Sequence, residues 1–105
     1  MTSDKLKEIG TRISDRRKQL NYTQEQIADK MDVSIQMISN LERGNKAIKI
    51  ENLIKISEIL NVSTDYILIG KHTEKDVNSV LNRISNLSDV DYKMIDMLIE
   101  YCLNK

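Results

Sequence analysis

The sequence predicts an all-α fold, and three observations lead to that prediction. Apolar residues recur at helical spacing, as in Ile9, Ile13 and Leu20. Sustained alternation of apolar and polar residues, which would indicate half-buried strands, is absent. Four Ser or Thr residues each follow an apolar residue and precede another by four positions, which is typical of a helix N-terminus.

Start and stop signals then divide the chain into seven helices. The predicted N-caps are Thr23, Ser34, Ser63 and Ser88, and Gln26 completes a capping box with Thr23. The predicted stops are residues that tolerate a left-handed backbone, namely Asn21, Gly44, Asn61 and Gly70. The helices are predicted at about 4–20, 24–31, 35–43, 50–60, 64–69, 76–86 and 89–103.

The composition is that of a globular chain with a small number of reactive groups. It has 105 residues, 40% of them hydrophobic and 30% charged, with one Cys and one His. This excludes an internal disulfide framework and a closed structural zinc site. No apolar run is long enough to span a membrane and no signal-peptide pattern is present, so a cytoplasmic protein is expected. The sequence implies no cofactor and no metal.

The second and third predicted helices are short and are joined only by Asp32, Val33 and Ser34. Such a tight connection forces a large angle between the helix axes, as in a helix-turn-helix. The apolar residues of this segment can form one buried wedge between the two helices: Ile27, Met31, Val33, Ile38 and Leu41. A pair this small cannot bury its own core, so helices 1, 4 and 5 are expected to pack behind it.

The segments 23–31, 33–34 and 38–44 resemble the helix-turn-helix of the phage repressor and Cro family, and within it the XRE-type bacterial regulators. The resemblance covers residues 5–70 and implies a five-helix, lambda-repressor-like domain followed by a two-helix C-terminal extension. The chain departs from the family pattern where Asp32 occupies a turn position usually held by Gly. Asp tolerates the left-handed region at moderate cost, so the turn is expected to form. A second departure, Lys49 at the N-cap of helix 4, makes the start of that helix uncertain by a residue or two.

In this arrangement the third helix lies in the major groove of DNA with its outward residues toward base edges. These outward residues, the predicted base contacts, are Ile35, Gln36, Ser39 and Asn40. Gln36 and Asn40 can each make the paired contact that reads adenine N6 and N7, and Ile35 can contact a thymine methyl.

Phosphate contacts are expected from helix N-termini and from the loop after the third helix. The predicted set is Thr23, Gln24, Ser34, Arg43, Asn45, Lys46 and Lys49; the assignment of Gln24 rests on the family resemblance. Arg12, Arg16 and Lys18 on helix 1 are weaker candidates. For each of these cations, in the loop or on helix 1, a solubilising surface charge is an equally good interpretation.

The resemblance assigns a different role to Arg17 and Glu42. It implies that this pair bridges helix 1 to the end of the third helix and orients it without contacting bases. Loss of one partner is therefore expected to affect folding before specificity.

The predicted organisation is a DNA-binding domain at 1–70, a linker at 71–75 and a C-terminal extension at 76–105. Both C-terminal helices carry more apolar surface than two isolated helices can bury. A homodimer is expected, with Met97, Leu98, Tyr101 and Cys102 at its interface, although packing within the chain remains open. A protein or small-molecule effector at these helices also remains open.

The function expected from the resemblance is sequence-specific binding of double-stranded DNA by a transcriptional repressor. Two alternatives remain: the antitoxin of a toxin–antitoxin pair, and an interaction module that has lost DNA binding. An enzyme is not expected, because the sequence has no metal-ligand pattern and no Gly-rich phosphate loop.

The formal net charge is zero, which by itself argues against nucleic-acid binding. Positive charge is nevertheless concentrated locally, at residues 12–18 and 42–49. Because DNA responds to charges within about 10 Å at moderate salt, local charge decides more than the total. Residues 1–70 as a whole are hardly basic, so a modest salt dependence of binding is expected.

Overall fold

The computed structural model describes residues 2–105, and the regular secondary structure in this range is helical. The predicted all-α fold is confirmed, and the helix boundaries agree with the sequence prediction to within two residues. The helices are α1 (Ser3–Gln19), α2 (Gln24–Met31), α3 (Ile35–Glu42), α4 (Ile50–Leu60), α5 (Thr64–Ile69), α6 (Glu74–Ser85) and α7 (Asp89–Leu103). They fall into two compact units, the first extending to Thr73 and the second formed by Glu74–Lys105.

Side-chain caps start most of these helices. The hydroxyl of Thr23 accepts from the backbone N–H of Gln26 at 3.0 Å, and the Gln26 side chain accepts from the Thr23 N–H at 2.8 Å. Ser34, Ser63 and Ser88 accept in the same way from the third residue of their helices. The predicted capping box and all four predicted N-caps are confirmed. α4 begins at Ile50, although Lys49 makes no side-chain cap.

Left-handed residues end the helices of the first unit. The predicted stops at Asn21, Asn61, Gly44 and Gly70 all have positive φ. Asp32 also has φ 57° and ψ 47°, so the turn forms with Asp in the position where the family usually has Gly. A short polar side chain is among the few that tolerate this conformation, which explains why the departure does not disrupt the motif.

The core of the first unit lies where α1, α2, α3, α4 and α5 meet. Its fully buried side chains are Ile13, Ile27, Met31, Ile38, Ile56, Leu60 and Ile67. Burial of a side chain of this size stabilises the folded state by about 1.5–3 kcal/mol. Because α2 and α3 supply Ile27, Met31 and Ile38 to this shared core, the helix-turn-helix is held rigidly against the other three helices.

One glycine determines how closely α1 approaches α3. A Cβ at Gly10 would collide with the backbone carbonyl oxygens of Leu41 and Glu42. These are rigid backbone atoms, so no side-chain rotation could make room. The absence of a side chain at position 10 therefore allows α1 to lie directly against the end of α3.

The second unit, α6 and α7, exposes most of its large apolar side chains. Val77, Val80 and Leu81 of α6 are 44–56% exposed. On α7 the exposed apolar residues are Val90, Tyr92, Met94, Met97, Leu98, Ile99, Tyr101 and Leu103. Within residues 2–105, no helix is both long and apolar enough to cross a membrane.

Candidate nucleic-acid interface

The connection between α2 and α3 is a tight, internally bonded turn. The N–H of Val33 donates to the carbonyl of Ala28 at 3.0 Å, and the N–H of Asp32 donates to Asp29 at 3.3 Å. Val33 packs against the core, while Ser34 caps α3. The turn thus fixes both the direction and the starting point of α3.

α3 has one buried and one exposed face. Ile38 and Leu41 are buried, and their neighbours Ile35 and Gln36 are exposed, Ile35 to 48%. Ser39 and Asn40 are half-buried and complete the outward set that the sequence predicts. The four predicted base-contact residues therefore lie together on the side of α3 away from the core.

Three side chains on this face form a hydrogen-bonded row. Gln36 Nε2 donates to Asn40 Oδ1 at 3.2 Å, and Arg43 Nη2 donates to the same oxygen at 2.8 Å. The spacing of four and then three residues places them along one side of the helix. This row was not predicted from the sequence, although the spacing of the three residues could have indicated it.

The end of α3 is attached to α1 by a largely buried ion pair. Arg17 Nε and Nη2 donate to the two carboxylate oxygens of Glu42 at 2.7 and 3.0 Å. The side chains are 11% and 6% exposed. Arg17 also donates to the carbonyl of Tyr22 at 2.8 Å, and so it holds the segment that leads into α2.

The electrostatics of this pair favour its charged form. Burial raises the pKa of the Glu42 carboxyl, but hydrogen bonds from Arg17 and Gln24, and the charge of Arg17, lower it further than burial raises it. The hydrogen bond to Glu42 raises the pKa of Arg17. Both groups are therefore ionised near neutral pH.

Gln24, at the first position of α2, is part of the same cluster. Its Nε2 donates to Glu42 Oε1 at 3.1 Å, and the side chain is half-buried. One amide N–H is thus used inside the protein, and the other N–H and the oxygen remain for an outside partner. Thr23 and Ser34, the other predicted phosphate contacts at helix N-termini, are exposed.

The loop between α3 and α4 presents exposed polar and cationic side chains. They are Arg43, Asn45, Lys46 and Lys49. Backbone hydrogen bonds from Gly44 to Leu41, at 3.1 Å, and from Asn45 to Asn40, at 2.9 Å, hold the loop to the end of α3. The loop therefore places these side chains beside the exposed face of α3.

Two arginines of α1 have structural roles. Arg12 Nη1 donates to the carbonyl of Ile67 at 3.0 Å, and Arg16 Nε donates to that of Leu60 at 2.8 Å. Both carbonyls lie in the last turns of helices, where backbone acceptors lack partners within the helix. Arg12 and Arg16 share helical spacing with Ile9, the signal that could have indicated an inward role.

This corrects the expected distribution of positive charge. The segment 12–18 was expected to supply a local positive patch. Arg12, Arg16 and Arg17 instead bond to groups within the first unit. Lys18 is the exposed cation of the segment 12–18. The loop at 43–49 supplies further exposed cations beside the end of α3.

In the second unit, α7 carries a shallow apolar groove of about 350 Å³. It is lined by Met94, Met97, Leu98 and Tyr101. Three of these residues belong to the predicted dimer interface, and the fourth predicted residue, Cys102, is exposed next to them.

Comparison with known proteins agrees with this geometry. A family model described as helix-turn-helix (HTH_3) matches residues 13–67. The transcriptional regulator ImmR of Bacillus subtilis is 35% identical over 93 residues, which are 87% of this chain and 72% of ImmR. The cryptic phage CTXphi transcriptional repressor RstR of Vibrio cholerae is 32% identical over 97 residues, 90% of this chain and 87% of RstR. Among solved structures, the SinR/SinI complex matches with a TM-score of 0.59 and 25% identity, over 92% of this chain and 99% of that chain.

Proposed function

We infer the function of this chain from its family: it belongs to the XRE-type helix-turn-helix family of transcriptional regulators, which are not enzymes. We propose that it is a cytoplasmic repressor that binds a pseudo-palindromic operator as a homodimer. In this proposal, α3 of each protomer lies in the major groove of one half-site. The observation that carries the proposal is the outward face of α3, which is polar, accessible and held rigidly from behind by the shared core.

In this proposal the exposed face of α3 contacts the base edges directly. Ile35, Gln36, Ser39 and Asn40 lie on this face and would approach base edges when α3 enters the groove. A glutamine or asparagine amide matches the donor and acceptor pattern of adenine, and an apolar side chain matches the thymine methyl. A half-site that contains A·T pairs is therefore expected.

Positioning on the duplex falls to the two helix N-termini and to the loop. Helix N-termini offer unpaired N–H groups and a dipole that attracts phosphate, and Thr23, Gln24 and Ser34 lie there. Arg43, Asn45, Lys46 and Lys49 flank the other end of α3. The two groups of contacts would hold the DNA backbone on both sides of the reading face.

Homodimerisation falls to α7. Met97, Leu98 and Tyr101 are 58–70% exposed, and a surface of this kind is typical of an interaction site. A twofold dimer would read two half-sites about 34–36 Å apart. Sedimentation of the full chain tests this step, with Leu98→Asp as the disrupting variant and Lys93→Asp as a control on an exposed polar position of α7. A monomeric wild type would contradict the homodimer, and the apolar surface of α7 would then be assigned to binding an effector.

Selection from a random pool of duplexes tests the function as a whole. The full chain is expected to enrich one sequence with twofold symmetry and A·T pairs in each half. Enrichment of no sequence at any salt concentration would contradict the proposal, and enrichment of a single half-site would contradict the dimer.

A further inference from the structure

The row formed by Gln36, Asn40 and Arg43 has a defined direction. Arg43 carries only hydrogen-bond donors, so the Asn40 atom that faces it at 2.8 Å is the oxygen, Oδ1. Gln36 approaches the same oxygen at 3.2 Å and therefore presents its Nε2. The orientation of both amides follows from the guanidinium of Arg43.

This direction gives Gln36 and Asn40 different capacities. A carbonyl oxygen has two lone pairs, and both lone pairs of Asn40 Oδ1 are engaged. Asn40 is left with N–H donors only. Gln36 keeps its oxygen and one N–H, which are the acceptor and the donor that the paired contact with adenine N6 and N7 requires.

We propose that Asn40 is a positioning residue that aims Gln36 at an adenine, and that it does not itself read a second adenine. This inference rests on the proposed binding of α3 to DNA. Each half-site then contains one base pair whose identity depends on both Gln36 and Asn40. The sequence predicts the paired contact for Gln36 and Asn40 alike; the row assigns it to Gln36 alone.

Arg43 connects Gln36 and Asn40 to the DNA backbone in this proposal. Only one of its five N–H donors is used by Asn40, so the others can contact a phosphate. The bond from a charged donor is stronger than a bond between neutral groups, and it holds Asn40 in place before DNA binds. Recognition of the base is thereby linked to the position of the phosphate at Arg43.

The test measures discrimination at every base pair of the selected operator. Duplexes that each carry one substituted base pair are titrated with wild type, Gln36→Ala, Asn40→Ala and the double variant, by fluorescence anisotropy. Asn40→Asp keeps an oxygen for Gln36 and Arg43 but loses the N–H donors. Asn45→Ala is the matched control, an exposed asparagine five residues away that is outside the row.

Wild type is expected to prefer the adenine at one position by about 10- to 100-fold. Gln36→Ala should abolish that preference, and Asn40→Ala should reduce it at the same position by at least about threefold. The double variant should resemble Gln36→Ala, since the two residues act through one contact. Asn40→Asp should keep the preference while its affinity for all duplexes falls, and Asn45→Ala should weaken all duplexes equally.

Three results would overturn the inference while leaving the proposed function intact. Asn40→Ala could lose discrimination at a different base pair, which would show that Asn40 reads its own base. It could leave all preferences unchanged, or Asn40→Asp could behave like Asn40→Ala. A wild type with no preferred base pair at any position would instead overturn the proposed function, and this inference with it.

Discussion

Arg17 of α1 and Glu42 at the end of α3 are joined by two hydrogen bonds, of 2.7 and 3.0 Å, in a largely buried ion pair. The pair spans 25 residues of sequence and joins the helix behind the motif to the helix that presents the proposed DNA-reading face. Since Gln24 of α2 donates to the same carboxylate, one buried group holds three helices in register. The orientation of α3 therefore depends on contacts that lie outside α3.

Loss of one partner of the pair is expected to destabilise the fold. In Glu42→Gln the Arg17 guanidinium stays buried without an opposite charge, which typically costs about 3–5 kcal/mol. Urea unfolding followed by circular dichroism measures the change in the free energy of unfolding. Glu58→Gln, an exposed glutamate of α4, is the control and should stay within about 0.5 kcal/mol of wild type. A loss below about 1 kcal/mol in Glu42→Gln would show that the pair is not a main support of the fold.

The same pair predicts how stability depends on pH. Hydrogen bonds from Arg17 and Gln24 hold the pKa of Glu42 in the folded chain below the ordinary glutamate value that it has in the unfolded chain. The contribution of ionised Glu42 to the free energy of unfolding is therefore complete above the pKa of the unfolded chain. It is lost as the pH falls through the lower pKa of the folded chain. Wild type and Glu42→Gln are compared by urea unfolding at pH 7 and at about pH 3. The difference between them should shrink at the lower pH; a difference that stays constant would contradict the assignment.

Gly10→Ala distinguishes packing from helix propensity. Propensity alone would make alanine more stable than glycine in a helix interior by about 1 kcal/mol. The added Cβ would instead meet the carbonyls of Leu41 and Glu42, so we expect destabilisation of about 1–3 kcal/mol. Thermal unfolding of Gly10→Ala and of the exposed control Thr11→Ala measures both effects. A stabilised Gly10→Ala would mean that α1 and α3 do not approach as closely as described.

The salt dependence of DNA binding follows from which cations are free. The loop supplies three exposed cations per protomer, Arg43, Lys46 and Lys49. Arg12, Arg16 and Arg17 of α1 are bonded to other groups of the protein and are not counted as phosphate contacts. For a dimer with these phosphate contacts, a plot of log K against log salt is expected to have a slope of about −5. Titrations at several salt concentrations measure it. A slope of about −10 would require cations that the loop does not supply.

The helices, their caps and the left-handed stops could be predicted because their signals are local. Thr23 with Gln26, and Asp32 at the end of α2, lie within a few residues of the structure they determine. The exposed face of α3 could be predicted for the same reason, since helical spacing separates Gln36 from the buried Ile38.

The contacts that hold the helices together could not be predicted as readily. Arg12 and Arg16 bond to carbonyls 55 and 44 residues away, and Gly10 makes room for backbone more than 30 residues distant. No local pattern indicates such partners. Only the family resemblance predicts the pairing of Arg17 with Glu42.

The central claim is that the outward face of α3 recognises a DNA sequence, and one measurement tests it most directly. Fluorescence anisotropy gives the Kd of the full chain for its selected operator and for a scrambled duplex of the same composition, at about 0.15 M salt. We predict that the operator binds at least about 10³-fold more tightly and that Gln36→Ala loses much of this ratio while remaining folded. Equal affinity for the two duplexes, or a ratio that Gln36→Ala leaves unchanged, would contradict the claim.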